Sequence, residues 1–387
     1  MQLDRQTRWT LLLGFMVLSL ASLRSLPVMP FGADFRNIAA YHQCARDVSP
    51  YLISGPDCGD PWGRGFLYPP LLFEVFRWTR WFALEKAIAI WASFQFGLLA
   101  LLFGFWVKLE HPRREGRLEI AIFTGLLLFE YPLIFLIERG GSDVWALLLA
   151  MAGAVLLQRE RALAAGVAFG VAAAYKLYPG VAGAVLALGL FFAAPSKRPR
   201  RDAPWLRFTG GVGLGLLGVS LVLFRETRVF VTRVMPALSQ SSTPPCEYNH
   251  SLVGAAGDYP NLGRLLFLGL AAVWVYAAAR ALSRRDYLAA VAGAFAISTY
   301  LQGTSWDYNL VTVYPLLLLC FLRGRAAGRW GVLWVGLIGF VGERAFYVTS
   351  AHPDSWVLVH LAIQIWFLVS AALEVAHSEP TQVAAAA

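Results

Sequence analysis

Asp34, in Gly32-Ala33-Asp34-Phe35, sets a carboxylate just past the first hydrophobic span of an otherwise apolar chain. An acid at a membrane boundary is expensive to keep, so its presence marks a place where it is used. The small neighbours Gly32 and Ala33 leave room for a substrate. Asp34 therefore has the type and setting of a general base that takes a proton from a hydroxyl as a leaving group departs. A helix cap, or a carboxylate paired with Arg36, is the alternative that spacing leaves open. Lys176, in Tyr175-Lys176-Leu177-Tyr178-Pro179, stands at the outer end of a span, with Pro179 expected to end the helix. A compact cation there suits a lipid phosphate, against simple snorkelling to the interface. Arg139, in Glu138-Arg139-Gly140-Gly141-Ser142-Asp143, is a second outward cation beside a turn. It either helps at the phosphate or forms a salt bridge with Glu138 or Asp143.

Weaker candidates fall at similar boundaries. Tyr68-Pro69-Pro70 has the form of a turn leading into an apolar helix. Trp306 is either an interfacial belt residue or a ligand platform, and Asp307 beside it is less ordinary at such a place. Asn249 and His250 lie in Tyr248-Asn249-His250-Ser251-Leu252, where the histidine either hydrogen-bonds a phosphate or sugar or is a surface residue without a role. Neither Cys-x-x-Cys nor His-x-x-x-His occurs, so the sequence carries no metal-ligand spacing.

The elements that position these groups are membrane helices. Hydrophobic residues make up 58% and charged residues 15% of 387, too apolar for a soluble domain of this length. Apolar runs of roughly 17 to 22 residues, each able to cross about 30 Å of hydrocarbon, recur from Trp9 to Glu374, about a dozen in all. The expectation is a single transmembrane domain over 1–376, with a disordered tail at 377–387. Basic clusters at Lys108 to Arg117, Arg159 to Arg161, Lys197 to Arg201, Arg280 to Arg285 and Arg323 to Arg329 alternate with poorly basic loops if both termini are cytoplasmic. The formal charge of +9 is then a topology signal, and its scatter over separate loops argues against nucleic acid. The first span, Trp9 to Val28, is expected to remain as a helix, because Arg24 interrupts the place where signal cleavage would occur.

Two extracytoplasmic segments, about 31–84 and 225–260, are long enough to fold over the membrane. Within the first, Phe66 to Phe82 with Trp78 and Trp81 suits short interfacial helices. Cys44, Cys58 and Cys246 fall in these loops and Cys320 in a span. A Cys44–Cys58 or a Cys58–Cys246 disulfide fits the oxidising side, with free thiols as the alternative. The Gly/Ala-rich stretch Ala162 to Ala174 reads as a tightly packed helix.

Taken in order, these residues resemble the GT-C class of membrane glycosyltransferases, and specifically glycosyltransferase family 87. The landmarks are Asp34-Phe35 after the first helix, Tyr68-Pro69-Pro70, Lys176-x-x-Pro179, Asn249-x-Ser251-Leu252 and Ser305-Trp306. The resemblance runs from Asp34 to about Pro315. It implies an all-α polytopic bundle of about 12 transmembrane helices in a bacterial inner membrane, with its active site on the extracytoplasmic side. The implied activity is hexosyl or pentosyl transfer, with mannose expected, from a polyprenyl monophosphate to an acceptor hydroxyl on a glycolipid or glycan, with inversion. By the same resemblance Asp34 is the base, and Lys176 and Arg139 hold the leaving phosphate. Tyr68, Asn249, His250, Trp306 and Asp307 line the sugar and acceptor pocket, and no cofactor or obligatory metal is required. Gly140-Gly141-Ser142-Asp143 departs from the family's Gly-Gln-x-Asn, and Asp307-Tyr308-Asn309 stands where the family has histidines. A polytopic lipid or sugar transporter or flippase is the rival reading. It predicts charges near the midplane rather than at the boundaries.

Overall fold

The structure, a computed structural model, describes residues 13, 33–44, 49–52, 66–110, 117–128, 130–193, 203–236, 251–257, 259–301, 307–327, 331–340 and 353–377. Among these the chain is helical throughout, with no strand. Four helices, Leu84–Lys108, Pro204–Val222, Pro260–Ser283 and Leu358–His377, are long and apolar enough to cross a membrane. Six further apolar helices, such as Asp143–Gln158 and Ala162–Tyr175, are shorter. A 14- or 16-residue helix rises only about 21 to 24 Å against about 30 Å of hydrocarbon. Four full-length spans are thus present among the described residues, against about a dozen expected over the whole chain; the first of those expected, Trp9 to Val28, lies outside the described residues apart from Leu13. One expected span is divided at Glu130, which is buried between Arg117–Leu128 and Tyr131–Arg139 and whose carbonyl accepts from the amides of Leu133 and Ile134 in the second helix.

Helix Tyr287–Ser298 is the axis of the bundle: every residue from Leu288 to Ser298 is buried, as a helix apolar all round requires. The most extensive helix contact among the described residues joins Ala162–Tyr175 to Pro204–Val222. The Cα atoms of Gly170 and Gly215 lie where a Cβ on either would sit 3.0 Å from the other, and a Cβ on Gly211 would sit 3.0 Å from the Cα of Gly166. A Cβ on Gly166 would also strike the Phe208 carbonyl, and one on Gly211 the Leu163 carbonyl. Small residues let the two backbones touch, which drives helix association where lipid supplies no hydrophobic force. The tight packing expected for Ala162 to Ala174 is thus present. Gly166→Leu should separate the pair and cost about 3 kcal/mol or more, since backbone cannot yield as a side chain does. A lowered melting temperature in detergent is the readout, with Gly213→Leu, at an open position, melting as wild type.

A second, aromatic core lies apart from the bundle's main one and is built from the first segment. Phe35 stacks on Trp91 at 6.0 Å, and Phe76 meets Trp91 edge-on at 4.7 Å. Tyr175, at the end of its helix, joins this cluster and so ties it to the bundle. Pro70 opens the short helix Pro70–Val75, and the 3-10 helix Arg77–Trp81 follows, leaving Trp81 78% exposed. The expected short helices in the first loop are therefore present. Cys44 is disulfide-bonded and Cys320 is a free thiol; Cys58 and Cys246 lie outside the described residues.

His42 locks the helix Ala33–Cys44 onto this cap. Its ring stacks on Phe73 at 3.8 Å, and Nε2 donates to the Phe73 carbonyl at 2.6 Å. Burial, with Arg80 and Arg77 nearby, lowers its pKa from 6.5 to about 4. Between those values the unfolded chain binds the proton that the folded chain refuses. Stability therefore falls as pH drops from 6.5 to about 4, by about 3 kcal/mol in full. Melting temperatures measured from pH 7 to 4 should show this loss, and His42→Gln should flatten it.

At the opposite end of the bundle the basic turns gather. Arg285 lies 3.5 Å from Glu160, Arg323 makes two hydrogen bonds to Asp286 at 2.7 and 2.9 Å, and Arg284 donates to the carbonyls of Val375 and Ala376.

Candidate active site

Asp34 occupies the first turn of helix Ala33–Cys44, where the helix dipole favours an acid. It is 4% exposed, and Arg36, the local partner that spacing offered, pairs with Glu85 at 3.6 Å. Arg139 takes it from the side: Nε donates to Oδ2 at 3.1 Å and an Nη to Oδ1 at 2.7 Å. A two-point guanidinium clamp fixes both position and plane of the carboxylate. A carboxylate has about four lone-pair sites on its two oxygens, more than the two that this clamp uses. Arg139 is itself held from below by the Phe135 ring, 5.7 Å from its guanidinium carbon.

The turn after Arg139 is fixed by three side chains. Gly140 adopts φ +69°, a conformation that only glycine takes freely, and its amide and that of Gly141 return to the carbonyls of Ile137 and Leu136. The carbonyl of Gly140 accepts from Trp91 Nε1 at 3.2 Å, that of Gly141 from Gln95 Nε2, and that of Ser142 from the Tyr175 hydroxyl at 3.1 Å. Asp143 then opens the next helix.

Asp143 reaches the second cation. Helix Ala162–Tyr175 stops at Lys176, whose extended backbone (φ −142°, ψ 143°) throws its side chain back over the turn. Nζ donates to Asp143 Oδ1 at 2.9 Å, and the Tyr178 hydroxyl donates to the same oxygen at 2.7 Å. The Tyr68 ring lies 5.8 Å from Nζ, a cation–π contact. Tyr68 is held in turn by the Tyr51 hydroxyl, which donates to its carbonyl at 2.7 Å. Pro179, expected to end the helix before Lys176, instead lies in the first turn of Tyr178–Ala193, where its missing amide costs nothing. Of the ammonium's three hydrogens one is given to Asp143, so Lys176 can bind an anion and keep its counter-ion.

The sequence of residues 66–304 matches glycosyltransferase family 87. The chain belongs to that family. Two curated relatives are each 26% identical to it, and both are named polyprenol-phosphate-mannose-dependent alpha-(1-2)-phosphatidylinositol pentamannoside mannosyltransferase. The protein from Mycolicibacterium smegmatis aligns over 92% of this chain and 85% of its own length. That from Mycobacterium tuberculosis aligns over 95% and 84%. With family membership shown, the transporter reading gives way to a glycosyltransferase.

In this family 87 glycosyltransferase the matched region takes in Tyr68, Arg139 and Lys176; the fold pairs Arg139 with Asp34 from outside that region and sets the Tyr68 ring against Lys176. Asn249, His250 and Trp306 lie outside the described residues, and Asp307 opens the 3-10 helix Asp307–Val313 with its side chain outside them. The site also holds two residues that reading the sequence passed over as ligands of the site, Asp143 and Tyr178. Asp143 appeared there only as a possible partner of Arg139. The signal available was an acid heading an otherwise apolar helix at the same boundary as Lys176.

Proposed function

We propose that this glycosyltransferase moves a sugar, mannose by analogy with the named relatives, from a polyprenyl monophosphate to a hydroxyl of a glycolipid acceptor, with inversion at the anomeric carbon. The observation that carries the reading is the pairing of a clamped carboxylate with a buried ammonium at one end of the bundle. Asp34, oriented by Arg139, accepts the acceptor's proton as its oxygen attacks. Lys176 stabilises the charge that grows on the departing phosphate, aimed where that charge develops. Arg139, with two donors already on Asp34, acts first as the base's positioning residue and second on the phosphate. Tyr68 forms the wall beside Lys176, and Asn249, His250, Trp306 and Asp307 complete the sugar and acceptor pocket. The chemistry as assigned needs no metal. The site faces the extracytoplasmic side of a bacterial inner membrane, opposite the end where Arg159 to Arg161, Arg284, Arg285 and Arg323 gather, in keeping with basic cytoplasmic loops.

The donor class is tested with purified protein in detergent given radiolabelled mannose on a short-chain polyprenyl monophosphate or on a nucleoside diphosphate, with phosphatidylinositol mannosides as acceptor. Transfer from the first alone is expected. Transfer from the nucleotide sugar, or donor binding without transfer to any acceptor hydroxyl, would overturn the reading.

A further inference from the structure

Asn37 is 4% exposed, and its amide nitrogen Nδ2 has no hydrogen-bond partner among the described residues. A buried amide left unpaired costs free energy comparable to a hydrogen bond forgone, so it is retained where something else pairs with it. Its direction follows from its helix. Asp34, Asn37 and Tyr41 fall at i, i+3 and i+7 of Ala33–Cys44 and so share one face. At one end of that face Asp34 meets Arg139 at 2.7 Å. At the other Tyr41 packs on Phe66 at 5.4 Å, and Phe66 on Tyr68 at 5.8 Å, the ring that flanks Lys176. Phe35, which carries the packing against Trp91, points the other way round the helix. Asn37 therefore stands between the base and the wall of the phosphate site, with an N–H pair and no acceptor among the described residues.

We propose that Asn37 is a specificity-determining residue, donating through Nδ2 to a sugar oxygen next to the reacting hydroxyl or carbon at Asp34. A neutral donor suits a hydroxyl or ring oxygen. The charged phosphate is already served by Lys176. The inference rests on the glycosyl-transfer reading above, and the sugar concerned is either the one transferred or the terminal sugar of the acceptor.

The test uses the full chain in detergent, mannose on a short-chain polyprenyl monophosphate as donor, and methyl α-mannoside with its monodeoxy analogues as acceptors. Asn37→Leu removes the unpaired amide and is expected to melt at or above wild type. Its KM should rise about ten- to a hundred-fold, for one substrate and not the other. A rise for the donor assigns Asn37 to the transferred sugar. A rise for the acceptor, with loss of the wild type's penalty against one deoxy analogue, assigns it to the acceptor. Unchanged KM values and unchanged discrimination overturn the proposal, as does a lower melting temperature with discrimination intact, which would mark a structural residue. If wild type transferred nothing, the donor assignment would fall, and equilibrium binding of methyl α-mannoside and its deoxy analogues to both proteins would still decide Asn37.

Discussion

Asp34→Asn is expected to lower the rate of sugar transfer about 10²- to 10⁴-fold while leaving donor binding near wild type. The factor is that of a lost general base. The amide keeps the shape of the carboxylate and can still accept from Arg139, but it cannot take the proton. A complication comes from the fold, because Arg139 is only 11% exposed at its side chain and its charge would lose its ionised partner. Removing one member of a buried pair costs about 3–5 kcal/mol. Asp34→Asn should therefore also melt lower than wild type. The double variant Asp34→Asn with Arg139→Met removes the orphaned charge, and its melting temperature should recover without any recovery of transfer. Single-turnover kinetics on the purified variants decide the matter. Near-normal transfer by Asp34→Asn, or activity that returns with stability in the double variant, would remove Asp34 from the role of base.

Lys176→Met is expected to weaken binding of short-chain polyprenyl phosphate and to lower kcat as well, since the cation acts on the phosphate both before and during departure. Charge-assisted hydrogen bonds of this kind are worth about 1.5–3 kcal/mol, or roughly ten- to a hundred-fold in affinity. Here too the partner must be considered. Asp143 is fully buried and its Oδ2 has no partner among the described residues, so loss of Lys176 leaves the carboxylate with the Tyr178 hydroxyl, which donates to Oδ1. Lys176→Met alone should be strongly destabilised, and Lys176→Met with Asp143→Asn should fold better and bind donor no better. Unchanged donor affinity in the well-folded double variant would take Lys176 out of the phosphate site. Lys176→Arg is not a neutral control, because a planar fork cannot occupy the point-like position between Asp143 Oδ1 and the Tyr68 ring.

The ion pairs explain which parts of the site could be read from sequence. Asp34, Arg139 and Lys176 stand out because charges are rare in an apolar chain and conspicuous at the ends of its hydrophobic runs. Their partners do not stand out. Arg139 and Asp34 are 105 residues apart, and Lys176 and Asp143 are 33 apart, so spacing suggested the local partners Glu138, Asp143 and Arg36 instead. Asn37 and His42 look like ordinary polar residues of a loop, and only the fold shows that both are buried.

The sequence by itself determined the solvent, the helical class and the family. An excess of apolar residues forces backbone groups to pair within helices, and motifs in order along a chain survive without knowledge of their geometry. The tertiary structure decided the lengths and the partners. Several apolar runs fold as short helices, divided at buried turns such as the one at Glu130, whose carbonyl caps the following helix by accepting from Leu133 and Ile134. Arg139 faces Asp34, and Lys176 faces Asp143, because the Gly140 turn is pinned by Trp91, Gln95 and Tyr175 from two other helices. No local rule specifies that convergence. It is set by how helices 84–110 and 162–175 pack, and the chemistry of the site follows from it.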